Sequence, residues 1–279
     1  MKAFLLCICL AATNGFAQSP TIDKIKKNGA ITLGYVPGAL PFSFVREVKP
    51  EGYSVELCER IVGDLRQQLK LPKLETRWVA LTIQNRIDAV RKGQVDLECS
   101  TTTRTLSRQQ QVDFSLFTYV DGATILVRND DKLMRLSDFS GKKLAVISGT
   151  TTEKSMQQVL EKMRLDTQLV PVASRAEGLS QLDKNGVDGF VSDRIALLAA
   201  GLTSPNAASY RILSDLYTVE TYALPMRRGD ADFRLAVDRA LAGLYRDGGI
   251  ADIHNKWFGR LGPAPKIVEA LYLLEGIQE

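Results

Sequence analysis

Short apolar stretches alternate along the chain with segments whose apolar residues recur every three or four positions. "AITLGYV", "KLETRWVAL" and "QVDLECS" read as strands bounded by polar or turn residues. Between them, "GYSVELCERIVGDLRQQLK" places Val55, Cys58 and Ile61/Val62 on one helical face, and "IQNRIDAVRKG" is a short helix closed by Gly93. The middle repeats the alternation. "GATILVR", "KKLAVISG", "TQLVPVA" and "DGFVSD" are strand-like, while "TTEKSMQQVLEKM" and "AEGLSQLDKNG" have helical spacing. This order predicts an α/β fold with mainly parallel sheets flanked by helices.

An internal echo adds organisation. "AVRKGQVDLECS" (Ala89 to Ser100) and "QLDKNGVDGFVSD" (Gln181 to Asp193) share a helix end, a lysine, a glycine and a Val-Asp pair opening a strand. Both strands end in polar residues. Two comparable units would each present polar groups at a strand's carboxyl end, where open α/β sheets bind ligands.

The first segment has a different character. "MKAFLLCICLAATNGFA" carries Lys2, an apolar run from Ala3 to Ala12, and small residues at Gly15 and Ala17. The run is about half of the roughly 20 residues a membrane span needs. Residues 1–17 are therefore expected to be a cleaved export signal, with a mature periplasmic chain starting near Gln18. Its loss takes one unit from a formal net charge of +4, and no basic stripe with interleaved aromatics suggests nucleic acid. The single histidine, His254, argues against a zinc site and reads as a helix-surface or packing residue. No cofactor is expected. Cys58 and Cys99 remain after cleavage; export permits a disulfide between them, and Cys58 also suits a small core position.

The candidate chemistry gathers at the strand ends. Four hydroxyl residues, Ser100 to Thr103, precede Arg104 and Arg108. A guanidinium offers a carboxylate two parallel hydrogen bonds, and Thr101 and Thr103 can add donors beside it. "SGTTTEKSM" puts Thr150 three residues before Glu153, either as a helix cap alone or as part of an anion site at the helix's positive end. Gly149 is not followed by the Gly-Lys-Ser/Thr of a P-loop. Asp193 could cap the helix after it or accept from a ligand ammonium. Donors in one unit and an acid in the other suit a zwitterion.

These segments resemble the periplasmic solute-binding proteins of polar amino-acid ABC importers, bacterial extracellular solute-binding protein family 3, especially the glutamate/aspartate type. "QNRIDAVRKGQVDLECSTTTRTLSRQQQVDFS" carries the likeness most strongly, supported by "SGTT", "VDGFVSD" and "HNKWFG". The family's α-carboxylate arginine lies six residues before the "FS" phenylalanine, here Phe114, and so falls on Arg108. The resemblance implies Thr101, Thr103, Arg108 and Thr150 around the α-carboxylate and part of the ammonium, and Asp193 on the ammonium. It implies two lobes, 18–119 with 222–279 and 120–221, crossed near Phe117–Ala123 and Tyr217–Leu224. It further implies an amino-acid ligand, an inner-membrane ABC permease partner and a monomer.

The expected side-chain pocket departs from the acidic pattern. Val36 and Ile83 stand where an arginine and a serine are expected, Arg86 remains, and Arg175 replaces a histidine. Arg86 and Arg175 could serve a distal carboxylate, or Arg175 could be solvated at a helix start. Tyr35, Phe42 and Phe44 could cover the ligand, or be core. The rival reading is a periplasmic prephenate or arogenate dehydratase on the same fold, with Glu153 and Glu177 as candidate general acids.

Overall fold

In the computed structural model, residues 19–203 and 207–278 are described. The expected export signal lies outside them. The chain opens with α1 (Pro20–Asn28), β1 (Ala30–Tyr35), a hairpin of β2 (Phe44–Arg46) and β3 (Lys49–Glu51), and α2 (Tyr53–Gln68). Next come β4 (Glu75–Ala80), α3 (Arg86–Arg91), β5 (Leu97–Glu98), α4 (Leu106–Gln109) and the long β6 (Val112–Asp121). The middle holds β7 (Ala123–Arg128), β8 (Lys143–Ile147), α5 (Thr151–Met163), β9 (Gln168–Val172), α6 (Arg175–Asp183), β10 (Gly189–Asp193), α7 (Arg194–Thr203) and β11 (Tyr210–Ile212). The chain closes with β12 (Glu220–Arg227), α8 (Ala231–Arg246), α9 (Gly249–Phe258) and α10 (Lys266–Glu275).

Local chemistry explains the helix ends. Ser19 caps α1 by accepting from Ile22 N at 3.1 Å, Pro20 starts the helix, and Gly29 ends it at φ 62°. Thr150, Ser174 and Asp230 cap α5, α6 and α8 in the same way. Asp230 also accepts from Thr21 N at 2.9 Å, which ties α1 to α8 across the chain.

Two five-stranded sheets result, in the orders β4-β1-β5-β12-β6 and β11-β7-β10-β8-β9. Neither is mainly parallel, which corrects the expectation from the βα alternation. β1 pairs in parallel with β4 and β5, and β8 with β9 and β10; β12, β7 and their other neighbours pair antiparallel. The reason is connectivity. The chain leaves the first sheet on β6 and returns on β12, so strands that carry opposite crossings lie side by side.

The crossings touch at Gly122, between β6 and β7. A Cβ there would come within 2.6 Å of the Thr218 carbonyl, so only glycine allows this approach. Beneath the first sheet Phe42 packs edge-on against Tyr53, Tyr119, Tyr222 and Phe258, at centroid distances of 5.1–5.8 Å. Phe42 is thus core and not a ligand cover. A second core, with Ile125, Phe139, Leu144 and Met156, fills the other lobe.

Cys58 on α2 is joined to Cys99, just past β5, over 41 residues. The bond pins the buried helix to the strand whose end carries the hydroxyl loop. In the chain-entropy picture a closure of this length stabilises by about 3–4 kcal/mol. The double variant Cys58→Ala/Cys99→Ala should lose about that much in urea unfolding. A loss below about 1 kcal/mol would show that the link does not constrain the unfolded chain.

Candidate functional site

Strand carboxyl ends from both sheets build one cleft. β5 stops at Glu98 and the chain runs out through Ser100 to Thr105, while β10 stops at Asp193. Ile83, Arg86, Thr101, Thr103, Thr150, Thr151, Arg175 and Asp193 line the same small cavity. The lobes meet across it, since Gln84 Nε2 donates to Ser148 O at 3.2 Å and Ala173 O at 3.3 Å.

Two guanidinium groups dominate the wall. Arg86, 4% exposed at the start of α3, donates through Nη1 to Thr101 O at 3.1 Å. Burial lowers its pKa, Glu98 opposes that, and Arg175 adds to it. Arg175 meets Asp193, with Nη2 and Oδ2 3.4 Å apart. The Nε of each arginine is buried and has no acceptor among the described residues. Buried donors without partners are rare in native proteins, and here both belong to the cleft.

The other expected residues divide. Thr103 Oγ1 donates to the Glu220 carboxylate at 2.6 Å, and Thr103 O accepts from Arg108 Nη1 at 2.8 Å. Arg108, on α4, therefore stands behind Thr103 and not on the cavity wall. Burial, with Arg86 close by, pulls its guanidinium down to about 10. Thr150 is the N-cap of α5, accepting from Glu153 N at 3.1 Å and donating to Ile147 O at 2.7 Å. Asp193 does not cap α7 through Ile195, whose N–H goes to Asp121 Oδ2 at 3.0 Å.

Tyr35 and Phe44 are not brought to the cleft. Tyr35 lies edge-on to Trp78 at 6.1 Å, and Phe44, in the β2–β3 hairpin, edge-on to Trp257 at 5.8 Å. Strand direction decides this: both aromatics point to faces covered by a tryptophan of their own lobe. Val36 is buried in a core cluster and does not line the cavity, whereas Ile83, packed against that cluster, does. Glu153 accepts from Gly149 N and Glu177 from Ala173 N, at 2.8 and 2.7 Å. Both dehydratase candidates are thus helix-cap partners, Glu153 half-buried and Glu177 exposed. His254 is buried, stacked on Tyr119.

Glu220, Thr151 and Glu98 escaped the reading of the residues. Glu220 opens β12, is 2% exposed, and accepts at 2.6 Å from both Thr103 of one lobe and Thr151 of the other. Glu98 is fully buried, accepts from Thr102 Oγ1 at 2.7 Å, and keeps Oε1 without a partner. Burial raises the pKa of each. The available signal was an acid inside an apolar stretch, as in "DLECS" and "VETYAL". Such an acid is buried only with partners.

The sequence profile of the bacterial extracellular solute-binding proteins, family 3, matches residues 31–260. The L-glutamate/L-aspartate-binding protein of Pseudomonas aeruginosa is 30% identical over 240 residues, 85% of this chain and 80% of that protein. The glutamate/aspartate import solute-binding protein of Salmonella typhimurium is 28% identical over 243 residues, covering 87% and 80%. Among solved structures, the ancestral amino acid-binding protein AncCDT-1, a precursor of cyclohexadienyl dehydratase, superposes with a TM-score of 0.73. It is 26% identical and covers 85% of this chain and 99% of its own.

Burial, then repulsion from Asp193, favours the neutral form of Glu220, against hydrogen bonds from Thr103, Thr151 and Thr218. With the folded pKa raised, ionised Glu220 weakens the fold as pH climbs above the ordinary 4.5. Glu220→Gln keeps an acceptor for both threonines without the charge. Its urea-unfolding stability should gain on the parent between pH 5 and 8, the difference vanishing toward pH 4. Parallel pH profiles for the two proteins would refute the assignment.

Proposed function

The chain belongs to the bacterial extracellular solute-binding proteins, family 3, and from that premise we propose that it is the periplasmic substrate-binding component of an ABC amino-acid importer. Its cleft would take an acidic or amide L-amino acid. The observation that carries this reading is the pair of buried, unpartnered Nε groups of Arg86 and Arg175, one from each lobe, on residues that line the same cavity. A carboxylate or amide oxygen supplies the acceptor they lack.

The α-groups follow from the remaining chemistry. We assign the α-carboxylate to Thr101, Thr103 and, once its guanidinium leaves Thr103 O for the cavity, Arg108, and the ammonium to Asp193. An arginine depressed to about 10 by burial and a neighbouring cation is short of an anion. Asp193, now shared with Arg175, would turn toward the ammonium as a ligand carboxylate takes over the arginine. The names of the similar proteins, which bind glutamate and aspartate, support the acidic choice. Ligand contacts to both lobes exist only when the cleft is closed, so binding favours the closed form that a permease would sense.

The dehydratase alternative is weaker. Glu153 and Glu177 are cap partners, and neither lines the cavity. The relatives named above are binding proteins.

The protein should bind glutamate, aspartate, glutamine or asparagine in a competition assay with labelled glutamate. Leucine would leave two buried cations unmatched, and lysine would add a third, so both should fail. Displacement by leucine or phenylalanine, with none by aspartate or glutamine, would overturn the side-chain assignment. Arg108→Ala should weaken binding about thirtyfold or more, because losing one partner of a buried charged pair costs about 2–5 kcal/mol. Arg104, which lies over the Phe117 ring at 5.2 Å, serves as the control, and Arg104→Ala should change little. Equal affinities of the two variants in calorimetric titration would remove Arg108 from the site.

A further inference from the structure

A second, larger cavity of about 600 Å³ lies where the two crossings pass between the lobes. It shares no lining residue with the cleft. Its walls come from the crossings (Val120, Leu216), from α7 (Ile195, Leu198), and from the end of α9 and the segment beyond (Phe258, Leu261). Both lobes therefore contribute, and most of the lining is apolar. Its size falls within the range of pockets that hold small organic molecules.

Polar side chains interrupt that lining, among them Tyr119, Asp121 and His254. Tyr119 and His254 are 1% and 2% exposed, and their rings stack with centroids 6.3 Å apart. The Tyr119 hydroxyl and His254 Nε2 are buried without a hydrogen-bond partner among the described residues. Asp121 stands beside them, its Oδ2 engaged by Ile195 N, and burial with Asp193 pushes its carboxyl up to about 7. Burial lowers the pKa of His254, so its ring is neutral near pH 7.

We propose that this cavity is a second binding site, for a small uncharged molecule with an apolar body and one hydroxyl group. A hydroxyl both donates and accepts, so it answers the Tyr119 phenol and either tautomer of His254. A carboxylate would face Asp121, and an ammonium would lose its hydration among apolar walls with Arg194 at the rim. The site stands independently of the amino-acid assignment in the cleft.

His254 is the only histidine of the chain, so its ring signals in a proton–carbon NMR spectrum report on this cavity without ambiguity. Titration of the whole mature protein with 4-ethylphenol should shift those signals saturably, and ethylbenzene should bind more weakly. Tyr119→Phe should weaken 4-ethylphenol by about fivefold, the worth of one hydrogen bond. Leu198→Trp, which fills the cavity from α7, should abolish the shift; if that variant does not fold, Tyr119→Phe decides alone. Histidine signals unmoved at the solubility limit of the probe would overturn the proposal. So would equal affinity for ethylbenzene, an unchanged affinity in Tyr119→Phe, or an undiminished shift in a folded Leu198→Trp protein. None of these readouts involves an amino-acid ligand, so they stand or fall apart from the cleft's assignment.

Discussion

The carboxyl group of Glu220 is held where three parts of the molecule converge. It belongs to the strand that returns from the second lobe, and it accepts from Thr103 of the first lobe and Thr151 of the second, each at 2.6 Å. A carboxyl group so deeply buried is tolerated only with partners, and those partners come from both sides of the cleft. Closure, the strand crossing and the hydroxyl loop are thus joined through one side chain. Parting the lobes would separate Thr103 from Thr151 and exchange one of the two hydrogen bonds for water.

The other buried charges follow the same rule. Arg86 and Arg175 face the cavity, Arg108 stands behind the hydroxyl loop, and Glu98, Asp193 and Glu220 oppose them. Three cations therefore sit among three acids, of which burial pushes Glu98 and Glu220 toward their neutral forms. That shift weakens the negative charge facing the arginines, and a second carboxylate on a ligand would restore it. A buried arginine N–H left without an acceptor costs about 1–3 kcal/mol, more for a charged group. Both orphaned Nε groups belong to residues that line the cleft, where an oxygen acceptor would relieve that cost.

Neither candidate general acid lines the cleft. Glu153 and Glu177 follow cap residues at the starts of α5 and α6, and each closes its turn by accepting a backbone N–H. A general acid must reach the bond it protonates. These two reach their own helix ends instead. The acids that are buried near the cleft are engaged by threonines or arginines from several elements, an arrangement that holds charge and shape in place.

Much of this was legible along the chain, because caps, turns and apolar faces are local. Thr150 with Glu153, the helical face of Val55 to Val62, and the polar strand ends at Ser100 and Asp193 depend on residues within a few positions of each other. The threonines and Asp193 could be named because they sit at strand ends and helix starts, whereas Arg86 and Arg175 were named through the family resemblance. Only the tertiary structure decided how the strands pair, since the direction of β12 and β7 depends on the two crossings and leaves no period in the sequence. Tyr35 and Phe44 were misplaced for a similar reason: an aromatic at a strand end is equally suited to a ligand or to Trp78 and Trp257. Glu220 was hidden most completely. Its partners lie 117 and 69 residues away, and a lone acid in an apolar stretch shows that something must satisfy it without showing what.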